Sequence, residues 1–164
     1  MKPPAVLLAG TGLDTKHVGY LVGTGGIFGA VAILVAGWYS DRHGDRLLNA
    51  FVCTIILASA YLALGRSSSP VVVTIAYLLF AATCFTIAML TASCWADVLH
   101  VRELAVGAAA INTMAQIGSF VTPYFWGVAK DATGNYKTGL LVLTFMTVVS
   151  GALTLLLRRQ VRRA

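Results

Sequence analysis

Five stretches without a single charged side chain dictate what this chain can become: approximately residues 18–40, 47–65, 70–96, 104–129 and 138–157. The 12 basic and 6 acidic residues fall in short clusters between and beyond these stretches. A hydrocarbon core ~30 Å thick is crossed by about 20 apolar residues in a helix, and each stretch meets that length. A charge at the centre of such a helix costs roughly 2.5–3.5 kcal/mol on insertion scales, so its absence from all five is what spanning requires. Open strands would leave backbone groups unpaired in lipid, which makes the spans helices. The expected fold is therefore an all-α membrane protein with five transmembrane helices. It forms one domain over residues 1–164, with a basic tail at 158–164.

Composition argues the same way. Charged residues make up 11% and hydrophobic ones 58%, against roughly 25% and 45–50% in soluble domains. A soluble helical bundle with so few charges could not cover its surface without large apolar patches. The net charge of +6 would suggest nucleic acid in a soluble protein. Here the basic residues sit at span ends and in the tail, as anchors against anionic headgroups, so the expected partner is the lipid bilayer and not nucleic acid. Cys53, Cys84 and Cys94 lie inside spans without metal-ligand spacing and read as small hydrophobes, so neither a metal nor a cofactor is expected.

An odd number of spans puts the termini on opposite sides. The sides differ modestly in basic residues, Lys2, Lys16, Arg66, Lys130 and Lys137 on one, while Arg158, Arg159, Arg162 and Arg163 tip the balance on the other. The positive-inside rule then places the C-terminus in the cytoplasm of a cell-membrane protein. Short connections make neighbouring helices antiparallel. The first span carries Gly19-x-x-x-Gly23 and Gly25-x-x-x-Gly29, spacings that let helix backbones approach closely in lipid. The second and fifth spans, made mainly of Leu, Ile, Val, Ala and Thr, read as lipid-facing walls. In the fourth span Asn112, Gln116, Ser119 and Pro123 recur at helical spacing as one stripe, extended by Ala105, Ala108 and Ala109. Polar side chains avoid lipid tails, so the stripe faces other helices or a water-filled cavity. Interhelical hydrogen bonding and substrate lining are equally good readings of it.

Between the first two spans runs Gly37-Trp38-Tyr39-Ser40-Asp41-Arg42-His43-Gly44-Asp45-Arg46. This resembles motif A of the major facilitator superfamily, G-x-x-x-D-R/K-x-G-x-R/K-R/K, with Leu47 in place of the last basic residue. Farther on, Gln116-Ile117-Gly118-Ser119, Pro123 and Lys130-Asp131-Ala132-Thr133-Gly134-Asn135-Tyr136 look like the eleventh helix and following loop, most like the anion:cation symporter branch. The resemblance covers nearly the whole chain and maps the spans onto the family's eighth to twelfth helices, part of the C-terminal half of its fold. It implies alternating-access, proton-coupled symport of small organic anions. It also implies that Gly37, Asp41, Arg42, Gly44 and Arg46 form a conformational latch. Asn112, Gln116 and Ser119, with Tyr20 and Thr24 as weaker candidates, would line the central cavity or the interface between halves.

The acids all lie near span ends, so none can carry a proton at the midplane. On this reading the proton carrier and a cation for the anion come from the first seven helices of the fold, its N-terminal half among them, or from partner membrane helices. The alternative is a non-transporting five-helix subunit or scaffold, with the glycine-rich first span binding a partner helix. An intramembrane enzyme is not expected, because no span holds a nucleophile motif or an acid cluster.

Overall fold

The computed structural model describes residues 14–95, 100, 102–134 and 136–161. Lys2, Ala96, Asn135, Arg162 and Arg163, named above, lie outside them. The described residues form five long helices: α1 (Thr15–His43), α2 (Arg46–Arg66), α3 (Pro70–Ser93), α4 (Leu104–Thr133) and α5 (Lys137–Val161). All five are long and apolar enough to cross a membrane.

The ends follow from local chemistry. Gly44 closes α1 in the left-handed region at φ 69°, returning its N–H to the Ser40 carbonyl at 2.9 Å; only glycine adopts that conformation without cost. Asp45 then caps α2 by accepting from the Leu48 N–H at 3.1 Å. Pro70 opens α3 where a missing N–H is harmless. Gly134 closes α4 as Gly44 closes α1, at φ 71°. Four helix C-termini shift by three or four residues from the sequence expectation, with α1 running on to His43 and α5 to Val161. The third helix ends at Ser93 rather than running to Ala96, with the Cys94 N–H turned back to the Leu90 and Thr91 carbonyls. The fourth runs on to Thr133, so that Lys130 and Asp131 belong to its last turn.

Packing orders the helices. α3 lies across both α1 and α2, which barely touch each other; α2 also packs along α5. Glycines set the closest approaches. A Cβ on Gly25 would lie 2.8 Å from the Tyr77 ring, and one on Gly29 would lie 3.2 Å from the Ala81 carbonyl oxygen. Gly151 of α5 meets Thr54 and Phe51 of α2 in the same way. By contrast Gly19, Gly23 and Gly26 have nothing within reach of a Cβ, so only one of the two glycine pairs is used within the described fold. The expectation that the second span is a lipid-facing wall is corrected: α2 is the most buried helix, holding Ala50, Thr54, Leu57, Ala58 and Ala60 between α3 and α5. Its small residues admit two neighbours at once. α4 stands apart, with no buried residue and a thin contact to α5.

Several threonine hydroxyls in the spans are satisfied locally, whereas the buried Ser40 hydroxyl finds no partner among the described residues. Thr54, Thr83, Thr86 and Thr91 each donate to the carbonyl one turn back, at 2.6–2.8 Å. Lipid offers no alternative partner, so the helix backbone supplies it.

Candidate functional site

Two places collect the residues singled out from the sequence. The first is the connection between α1 and α2. It is tighter than a loop, because Asp41 and Arg42 are still helical and only Gly44 and Asp45 join the two helices. Gly37 is buried against α3, with the Met89 Cε 3.1 Å from where a Cβ would stand. Asp41 is 70% exposed and pairs with the Arg46 guanidinium at 3.1 Å. Arg46 also donates to the Ser93 carbonyl at 3.4 Å, tying the turn to the end of α3. Arg42 lies over the Trp38 ring, 5.5 Å from its centre. An acid in the last turn of a helix sits at the negative end of the helix dipole, which favours a cation beside it. Arg46 supplies that cation within the chain, while the exposure of Asp41 leaves its outer side accessible.

Sequence reasoning missed the second half of this turn. Asp45, a variable position of the motif, accepts three hydrogen bonds from Arg158 at 2.7–3.2 Å, both side chains about one-fifth exposed. Arg158, assigned above to a headgroup-anchoring tail, belongs to α5 and clamps its end to the start of α2. The available signal was an Asp directly before an apolar helix, a cap position; its distant partner left none.

The second place is the open face of α4. Asn112, Gln116, Ser119 and Pro123 are all exposed, meaning uncovered by protein. The Ser119 hydroxyl is spent on the Ala115 carbonyl at 3.0 Å. Pro123 has no N–H to give the Ser119 carbonyl one turn back, which leaves that oxygen as a further acceptor on the stripe. Among the described residues the Asn112 and Gln116 amides make no hydrogen bond. An amide in an apolar medium without a partner costs roughly 1–3 kcal/mol by protein measures and more by alkane transfer. A face with two such amides therefore fits a polar neighbour far better than lipid tails.

Tyr20 and Thr24 are also exposed, on α1, and the Thr24 hydroxyl donates to the Leu21 carbonyl at 3.0 Å. α1 and α4 share no packed interface, so these two residues are not brought together with the α4 stripe.

Comparison with known proteins agrees with this architecture. The family model described as Major Facilitator Superfamily matches residues 1–164. Two proteins of Agrobacterium vitis, each named "Putative tartrate transporter", are 32% and 30% identical, over 93% and 90% of this chain and 34% of each relative. A "Quinolone resistance transporter" of Acinetobacter baumannii is 28% identical over 98% of this chain and 37% of its own length. The chain thus spans about a third of the length of the curated relatives it matches. No solved structure matches it.

Proposed function

This chain belongs to the major facilitator superfamily, and from that premise we propose that it supplies five helices, the eighth to the twelfth, of a proton-coupled symporter for small organic carboxylates. Transport is by alternating access, two halves rocking about a site near the midplane. Asn112, Gln116 and Ser119 line the cavity or the seam between halves. The turn from Gly37 to Arg46 holds one side shut, with Asp41 as its charged contact. That turn and the C-terminus lie on the cytoplasmic side of the cell membrane. The other half of the transporter provides the proton carrier and the cation that receives the anion.

The observation that carries this reading is the pair of amides on the open face of α4 that have no partner among the described residues. The names of the two Agrobacterium vitis relatives support the carboxylate class.

The test is uptake of labelled tartrate into vesicles holding the full-length transporter, with and without an inward proton gradient. Accumulation that requires the gradient is expected. Uptake indifferent to the gradient would remove the coupling. Movement of a quinolone with no movement of tartrate would overturn the substrate class while leaving transport itself standing.

A further inference from the structure

The end of α4 repeats the end of α1. Gly127, Asp131 and Gly134 have the same spacing as Gly37, Asp41 and Gly44. The repeat extends to backbone geometry: Gly44 and Gly134 are the two glycines with positive φ among the described residues, at 69° and 71°. Each returns its N–H to the residue four back, Ser40 at 2.9 Å and Lys130 at 2.7 Å. Each is followed within a few residues by a cation, Arg46 or Lys137, that opens the next helix. Both helix pairs are also splayed: α1 and α2 barely touch, and so do α4 and α5. α3 fills the first gap. The second is an open apolar groove lined by Val121, Phe125, Trp126, Val142 and Met146.

Three spanning helices separate the two turns, α2, α3 and α4, so the turns lie on opposite faces of the membrane. The repeat is therefore inverted, the kind of internal symmetry from which transporter halves are built.

We infer that the last turn of α4 is a second latch, on the membrane face opposite the Gly37–Arg46 turn, and that Asp131 is its charged contact. This rests on the alternating-access reading above. Asp131, like Asp41, is an exposed acid in the last turn of a helix, where its own helix dipole disfavours it. Among the described residues its carboxylate accepts no hydrogen bond. The neighbouring Lys130 feels the Asp131 charge only weakly, because its amine is turned to the Tyr136 ring, 4.8 Å from its centre. Asp131 is thus left for a cation or a helix N-terminus of the facing half, met when that side of the transporter closes. Alternating access needs each side to close in turn. An inverted repeat places the same device at both.

The experiment uses the full-length transporter with every native cysteine, Cys53, Cys84 and Cys94 among them, replaced by alanine and one reporter, Ala115→Cys, midway along α4. A membrane-impermeant thiol reagent is applied from each side, and the ratio of the two labelling rates is read. Asp131→Asn should shift the ratio several-fold toward access from the α4–α5-turn side. Asp41→Asn should shift it the other way, and Asp131→Glu should keep the parent ratio. If Asp131→Asn leaves the ratio unchanged while Asp41→Asn moves it, the second latch is overturned and the transporter reading stands. If Asp131→Asn moves it in the same direction as Asp41→Asn, the inverted role is equally overturned. A ratio insensitive to both substitutions would remove the latch reading of the Gly37–Arg46 turn as well.

Discussion

Replacing Gly29 with valine and, separately, Gly23 with valine puts the same side chain on two turns of one helix with opposite consequences. At position 29 a Cβ lies 3.2 Å from the Ala81 carbonyl oxygen and 3.3 Å from the Phe85 ring. The first of these is backbone held inside α3 and cannot rotate away, so the two helices must separate. Overpacking of this kind costs about 1–3 kcal/mol. At position 23 a Cβ meets nothing within 4 Å, and the only change is the helix propensity gained on leaving glycine, a few tenths of a kcal/mol. Using valine at both positions cancels its intrinsic helix cost. For a chain of this size about 1 kcal/mol moves Tm by roughly 2–4 °C. Gly29→Val should therefore lower Tm by roughly 2–12 °C, with Gly23→Val level with the parent or slightly above. Unfolding is followed in detergent micelles with a thiol-reactive dye on Cys94, which is 4% exposed in the fold, after replacing Cys53 and Cys84 with alanine. Adding Phe85→Ala to Gly29→Val should restore little, since the tighter contact is to backbone. Equal losses at positions 23 and 29, or full rescue by Phe85→Ala, would refute the assignment of the α1–α3 contact.

Four further outcomes can be checked. Asp45→Ala should melt about 2–4 °C below Asp45→Asn, because asparagine still accepts from the Leu48 N–H and a lost cap costs about 1 kcal/mol. Arg158→Gln should match Asp45→Asn, and the double substitution should melt no lower than either single one; an additive loss would show that the two groups act independently. Gly44→Ala should cost about 1–2 kcal/mol for a left-handed non-glycine residue, and Gly44→Asn less, measured by the same dye assay. In the full-length transporter, Asn112→Leu together with Gln116→Leu should abolish tartrate uptake at unchanged abundance in the membrane, whereas retained uptake would take the stripe out of the cavity.

The spans were legible because lipid enforces one rule along the whole chain: charges mark where each helix leaves the membrane. Asp41 to Arg46 and Arg66 bound α2 as closely in the structure as they do in the sequence. The motif turn was legible for the same kind of reason, since Gly44 is needed for a left-handed backbone that few residues accept. Partnering was not legible. Gly19, Gly23, Gly25 and Gly29 satisfy one spacing rule, yet only Gly25 and Gly29 face α3, and nothing local says which face of a glycine-rich helix meets a neighbour. The central place of α2 was hidden similarly, because an apolar helix reads alike whether it faces lipid or two other helices. Asp45 and Arg158 lie 113 residues apart, and a contact of that range has no periodicity to betray it.

The clasp between Asp45 and Arg158 joins groups 113 residues apart, and this bears on how the protein is made. α3 can settle on α1 and α2 soon after it leaves the ribosome. The second face of α2, with Thr54 and the half-satisfied Asp45 carboxylate, has no cover until α5 arrives. At synthesis rates of about 5–20 residues per second that wait lasts roughly 6–20 s. Arrival of Gly151 and Arg158 ends that exposure, because α5 is the helix that covers the second face of α2.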